Sequence, residues 1–597
     1  MFASMFGSSP AAPPGAPQVK DVHFLCDVFE LDSGGEWRLV GEQGVDVDWT
    51  GRVLHILGGV LEISMSEATG VARFADPDDG LPCMQFSTSE SEWGLKFPDN
   101  PSADQFGVIL GELAQAEAKV LVEIGSSHGN SIELLELTGN GWIVVSSNLH
   151  ILISRRQLDG VCFLTVQDGK GKSLFNSAIV RSLNFDFGRG GRVVSFLGRS
   201  PVEKDNRVFA IGCKIESDWV LLKNGIQTAL GKNKRISEIS SSEDDEVTPV
   251  SSVDAWETDS EIDSDVQTSP KSSNKLLAVG RERTFIVQKS EKGSNLRILK
   301  KRPNGKLQES AEFALLRGKQ QPLLAPRSAL THQKESRLLL LEGREVAAVD
   351  LEIGKVIETY SGPAGQSIAQ VIPRSKFSQN SGEPTFFGVN DRSLFLIDPR
   401  IGGNSQSVHA ITYASSAGLC AGGVDGSGHI AVGSKKGSIR LFDGEANKEG
   451  ALKRAKSLIE GLGDAILFLD VSSDGFWVIA TCSSYAVLIG VGEEISGFKK
   501  SLGGTPSSLV YLTVACSDLV KFNIKKVIFT PARFDPGEES IVSSVGCLAV
   551  AWDLKEAKKG RSVYAVKKMK EDIVGTGFLG GDAVVAMYKG GVDIARR

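Results

Sequence analysis

The sequence predicts a mainly β protein of several domains, and three observations carry that prediction. At 597 residues, the chain is longer than one core supports at roughly 100–200 residues per domain. Short apolar runs alternate with Gly-rich turns almost throughout, the pattern of strands rather than long helices. One stretch, residues 236–274, breaks that pattern with eleven acidic side chains against one lysine. Composition, at 41% hydrophobic and 23% charged, excludes a fibrous or wholly disordered chain. Net charge is only -7, from 66 basic and 73 acidic side chains, so no chain-wide basic field exists to wrap nucleic acid.

Residues 1–20 are expected to be disordered, and they lack the basic and apolar regions of a signal peptide. No window holds 18 uninterrupted apolar residues, so no membrane helix is expected. Eight cysteines lie at least 31 residues apart, which offers no C-x-x-C zinc pair and reads as small buried hydrophobes in a reducing compartment. The expected location is cytoplasmic, with the nucleus as a second location.

Two segments then end alike, in an alternating strand followed by an amphipathic helix. In the first, Trp93, Leu95 and Phe97 share a strand face; Ser102 and Gln105 form a predicted capping box ahead of Phe106, Ile109, Leu110 and Leu113. In the second, Phe209, Ile211, Cys213 and Ile215 alternate; Ser217 is the predicted N-cap, Trp219, Leu222, Ile226 and Leu230 the buried stripe, and Gly231 the C′ residue. Strands closed by one C-terminal helix resemble the pleckstrin-homology superfold, which includes Ran-binding and EVH1-type modules. Residues 21–118 and 119–231 are therefore expected to be two PH-like modules.

Residues 232–274 follow as an acidic, Ser-rich linker too poor in apolar groups to offset its chain entropy. The stretch 236–274 carries -10, so subtracting it from -7 leaves about +3 on everything else. As a flexible coil it would span roughly 35 Å. Ser240, Ser241, Ser242, Thr258 and Ser260 each have an acid three residues on, the context of an acidophilic kinase. Phosphorylation would add roughly -1.5 to -2 per site; the alternative is a constitutive solubilising linker.

From residue 275 to 597 an apolar run, a small turn and a second run ending in an acid recur, at Asp350, Asp398, Asp443, Asp553 and Asp593. The spacings are 48, 45, 110 and 40, and DVSSDGFWVIATCSSYAVLIG divides the long gap. With LLAVGRERTFIVQK as a further unit, roughly seven blades of a β-propeller account for the region, each sheet burying a face its neighbour supplies. A short helix is expected near residues 310–317. The aspartates are one per blade, so Asx turns explain them better than a calcium loop, which gathers its oxygens within about a dozen residues.

Within this region SRLLLLEGREVAAVDLEIGKVIETY, TFFGVNDRSLFLIDPRIGGN, GHIAVGSKKGSIRLFD and FTPARFDPGEESIVSSVGCLAVAWDLKEAKKG resemble the C-terminal domain of the vacuolar import and degradation family. Its plant members are called defective-embryo-and-meristems proteins. The resemblance implies a WD40-like propeller preceded by an acidic stretch and a PH-like region, and it brings no enzymatic activity. Only Trp552-Asp553 is a literal WD pair.

The search for chemistry is otherwise negative. Seven histidines, His429 among them, form no metal or catalytic pattern, no G-x-S-x-G elbow is present, and neither a cofactor nor a metal is expected. FGRGGRVV offers Arg189 and Arg192 as an anion-binding loop but lacks the Lys-Ser/Thr of a phosphate loop, so a hairpin turn is the stronger reading. Lys300, Lys301 and Arg302, in KKRPNGK, form a nuclear-localisation candidate or a hairpin tip at Asn304-Gly305. The expectation is a non-enzymatic interaction scaffold. A Ran-like small GTPase or a peptide is the favoured partner, with a part in cell division or development. The alternative is phosphoinositide-linked trafficking in vacuolar import and degradation, disfavoured because VDVD at 45–48 and DPDD at 76–79 place acids where a phosphoinositide site needs Lys and Arg.

Overall fold

A computed structural model describes nine strands between Val22 and Lys96 with a few neighbours as far as residue 103, residues 118–232 apart from short loops, residues 250–252, and residues 272–596 apart from short loops. The chain divides into two compact units, 1–120 with 154–160, and 121–153 with 161–597.

The first unit holds β1 (Val22–Phe24), β2 (Asp27–Leu31), β3 (Trp37–Gly41), β4 (Val45–Asp48), β5 (Val53–Ile56), β6 (Leu61–Ser64), β7 (Thr69–Ala75), β8 (Pro82–Ser87) and β9 (Glu92–Lys96). They form two sheets ordered β1-β4-β5-β6 and β3-β2-β9-β8-β7. Trp93, Leu95 and Phe97 are buried, as their alternation requires. A helix, α1, begins at residue 100. Its cap is Asp99, whose Oδ1 accepts from the Ser102 backbone N–H at 2.8 Å; the expected Ser102 cap is corrected. Pro101 explains the shift, because its missing N–H is tolerated only inside the first turn.

The next nine strands repeat that arrangement. They are β10 (Ala118–Ile124), β11 (Ile132–Thr138), β12 (Gly141–Ser147), β13 (His150–Arg156), β14 (Cys162–Gln167), β15 (Ser173–Ala178), β16 (Asp186–Phe187), β17 (Val193–Arg199) and β18 (Asn206–Cys213). Their orders, β10-β13-β14-β15 and β12-β11-β18-β17-β16, are those of the first nine strand for strand. The registers agree too: Val28 opposes Leu95 as Leu134 opposes Ile211, and each partner strand carries an irregularity right after Val28 or Leu134. Leu31 opposes Trp37 as Leu137 opposes Trp142.

Helix α2 (Glu216–Lys232) closes this second module. Trp219 N–H donates to the Ile215 carbonyl at 3.3 Å, so Ser217 lies within the first turn and Gly231 within the helix, which corrects both expected caps. Leu222, Ile226 and Ala229 are fully buried against Ile151, Ile153, Leu164 and Ile211. Gly225 sits where a Cβ would lie 2.6 Å from Ile153, so the helix needs glycine to reach the sheet.

Seven consecutive sheets fill residues 273–314, 326–360, 370–412, 419–459, 468–512, 533–568 and 573–596. The first five are four-stranded β-meanders, the sixth has five strands and the seventh, among the described residues, three. Their strands are apolar on both faces, as Leu338–Leu341 illustrates, so each sheet needs a neighbour on each side. Buried clusters supply them in a circuit. Phe285 packs with Leu338, Leu339 with Phe386, Phe387 with Val432, Leu441 with Leu469, Leu488 with Trp552, and Val542 with Val584. Ile286 and Leu299 of the first sheet pack with Met587 and Ile594 of the seventh. Asn274 adds a clasp there, its side-chain amide donating to the Tyr588 and Gly591 carbonyls at 3.0 and 3.1 Å.

Three expectations change in this region. The stretch near 310–317 is strand, not helix: Leu307–Ala314 pairs along the outer edge of the first sheet, and that ladder overrides helical propensity. Asp350, Asp398, Asp443 and Asp553 do accept backbone N–H bonds just after a third strand, whereas Asp593 is the second residue of its strand and accepts from the Tyr588 hydroxyl at 2.8 Å. The acidic stretch is not structureless along its whole length: β19 (Val250–Ser252) pairs in parallel with Val563–Ala565 as a fifth strand of the sixth sheet.

Candidate functional site

The sheet β12-β11-β18-β17-β16 has two apolar faces. Phe196, Phe209 and Ile211 point into the core of their own module. Leu137, Leu197 and Val208 point the other way, into a cluster with Leu512, Val514, Leu519, Ile524 and Val527 that follows the fifth of the seven sheets. Burying those three side chains stabilises the contact by roughly 1.5–3 kcal/mol each before ordering costs. Polar groups fix its register. Asn184, in the left-handed region at φ 49°, donates from Nδ2 to the Val514 carbonyl at 2.6 Å and accepts from the Thr513 hydroxyl at 3.2 Å. Val527 N–H donates to the Asn206 carbonyl at 2.9 Å, and Asn206 Nδ2 donates to Ser483 Oγ at 3.1 Å. Lys526 lies 3.4 Å from Asp205. Burial raises the Asp205 pKa, but Arg207 and Lys526 outweigh it and hold the carboxyl below its usual range.

Beside this contact opens a cleft of about 980 Å³. Five consecutive residues of β15, Leu174 to Ala178, line it. Side chains alternate across a strand, so five in a row line a cleft only along the strand's edge, and β15 is the outer strand of its sheet. The opposite wall presents Leu467 and Ile528, which are 54% and 44% exposed. The cleft therefore offers a strand edge that no further strand covers among the described residues, lined also by apolar anchors.

At the other end of strand Trp477–Thr481 from Ser483, the turns of four sheets are laced together. Lys376 N–H donates to the Asp425 carbonyl, and Gly426 N–H to the Ser473 carbonyl. Ser473 donates from N and Oγ to Glu538 Oε1 at 2.6 and 2.8 Å. The Lys376 ammonium closes the chain: it lies 3.2 Å from Glu538 Oε1, 3.6 Å from Asp470 Oδ1 and 4.7 Å from the Phe534 ring centre, and it donates to the Val471 carbonyl. A nearly buried cation so enclosed is structural, a clamp across the third, fifth and sixth sheets.

The residues singled out from the sequence are scattered. Ser240, Ser241, Ser242, Thr258, Ser260 and Arg189 lie outside the described residues. Arg192 donates to the Lys214 carbonyl at 2.6 Å beside a hairpin closed by the Gly188–Val193 bond. Lys300 and Lys301 end the strand Gly293–Lys301, and Arg302 N–H bonds the Lys306 carbonyl across a hairpin tip. His429 is buried, its Nδ1 bonded to Asp425 and its ring stacked on Phe498. None of the eight cysteines is in a disulfide; burial pushes the Cys213 and Cys482 pKa values up to about 12, which leaves those two unreactive. Among the described residues no group of three His, Cys, Asp or Glu is placed to hold a metal. No described helix is long and apolar enough to cross a membrane.

The module contact went unread although a signal was present. Val208–Phe209–Ala210–Ile211 is continuously apolar, the mark of a strand covered on both faces.

Comparison with known proteins places these features. The family described as "VID27 C-terminal WD40-like domain" matches residues 272–595. The chain is 30% identical over 296 residues to "Vacuolar import and degradation protein 27" of Saccharomyces cerevisiae, an alignment covering 45% of the chain and 37% of the relative. It is 30% identical over 312 residues to the protein of the same name in Schizosaccharomyces pombe, covering 49% of the chain and 38% of the relative. The chain thus spans less than two-fifths of the length of these relatives.

Proposed function

Because the chain belongs to the VID27 family, we propose that it is a non-enzymatic protein-binding scaffold serving vacuolar import and degradation. In this reading the seven sheets are blades of a propeller, and the two nine-stranded modules are PH-like units. The observation that carries it is the cleft beside β15. Its ladder edge accepts an extended peptide as an added strand, and Leu467 and Ile528 grip alternate side chains of that peptide. Affinity then comes from backbone bonds and specificity from the apolar wall.

The test is complementation. In cells lacking the protein, the wild-type chain restores delivery of vacuolar cargo, while the Leu467→Asp/Ile528→Asp double variant, expressed at wild-type level, does not. Full restoration by the double variant would sink the cleft as the binding site. A Ran-like small GTPase as partner rests on the PH-like reading of the modules. It requires capture of the GTP-loaded but not the GDP-loaded GTPase by the full chain.

A further inference from the structure

Innermost strands from several sheets enclose a second cavity, of about 450 Å³. The Lys376 clamp forms part of its wall, and it shares no lining residue with the β15 cleft. Its lining includes three cationic side chains, Arg281, Lys376 and Arg533, and two carboxylates, Asp470 and Asp535. These charges are not equally engaged. Lys376 is clamped as described. Asp470 accepts backbone N–H bonds from Val471 at 3.0 Å and Phe534 at 2.9 Å, and Asp535 accepts from Glu539 at 2.8 Å and Ser540 at 3.0 Å.

The two guanidinium groups differ. Among the described residues, neither Arg281 nor Arg533 gives a side-chain hydrogen bond or ion pair to any acceptor. Arg533 rests on the Phe468 ring, 4.6 Å from its centre, which fixes the plane of the fork and leaves its N–H edge free. Its side chain is exposed, yet surrounding protein desolvates it and pushes its pKa down, with Asp470 opposing only in part. A guanidinium held flat on a ring, with its N–H edge free and no bonded acceptor among the described residues, is a ready partner for an oxyanion.

We propose that this cavity binds an oxyanion, the phosphate or carboxylate of a peptide side chain, between the guanidinium groups of Arg533 and Arg281. The peptide as bearer rests on the scaffold reading above; the oxyanion site does not.

The experiment uses the full chain, with calorimetric titration and thermal melting in inorganic phosphate, then in short peptides carrying one phosphoserine or one glutamate. Phosphate is expected to bind and raise the melting temperature. Arg533→Met keeps the contact with Phe468 and removes the charge. It is expected to weaken phosphate binding by about tenfold or more and, without phosphate, to melt no lower than wild type. Arg281→Met weakens binding less, and Arg533→Lys falls between. Unchanged phosphate binding in Arg533→Met, or no binding by wild type, overturns the site. So does a ligand-free Arg533→Met that melts well below wild type, because the arginine is then structural. Binding of phosphate but of neither peptide overturns the peptide as bearer. Preference for one peptide identifies the source of the anion.

Discussion

The two nine-stranded modules share strand order, register and a helix placed alike, with Leu95 and Ile211, and likewise residues 100 and 216, each 116 apart. They differ in sequence where that register puts Glu92 in the first and Val208 in the second. Val208 is fully buried in a cluster shared with the WD40-like domain. One topology can thus carry different duties. The fold repeats because the inner core repeats, while Val208, on the other face of the second module's sheet, joins that sheet to the WD40-like domain.

The largest effect should come from giving the second module the first module's residue. Val208→Glu buries an unpaired charge and is expected to cost several kcal/mol, about 3 or more. Denaturant unfolding and limited proteolysis would show it, with cleavage appearing between residues 199 and 206. Leu197→Ala, at a 3% exposed position in the same cluster, is expected to cost about 2–4 kcal/mol.

Asn184→Ala should follow at about 1–3 kcal/mol, since it strands the Thr513 hydroxyl and the Val514 carbonyl and loses a residue suited to positive φ. A wild-type midpoint in either variant would show that the contact contributes little. The smallest effect is the acid response of Asp205. Its folded pKa is lowered, so its contribution is present above the unfolded carboxylate range and is lost as pH falls below about 4. Lys526→Ala should make the loss of the contact on acidification shallower, measured by melting between pH 3 and 6. An unaltered acid profile would remove the ion pair from the account.

The inner structure was legible and the outer was not, for a physical reason. Trp93, Leu95 and Phe97, or Phe209, Ile211 and Cys213, alternate because one face of each strand meets a core built from the same stretch of chain. The seven-sheet region was legible because its apolar runs and acid-ended strands recur. The caps were misread because Pro101 moved one start and nothing local marked Ile215. The cleft, the Lys376 clamp and Asn184 join residues dozens to hundreds of positions apart, and no local pattern records such pairs. For Val208 the signal was present as an apolar residue out of phase with its strand.

The central claim is that the second nine-stranded module and the WD40-like domain open as one cooperative body. Hydrogen–deuterium exchange on the full chain, wild type against Val208→Glu, tests it most directly. The account predicts that peptides covering residues 193–213 and 508–527 lose protection together. Loss confined to 193–213, with 508–527 protected as in wild type, would contradict it.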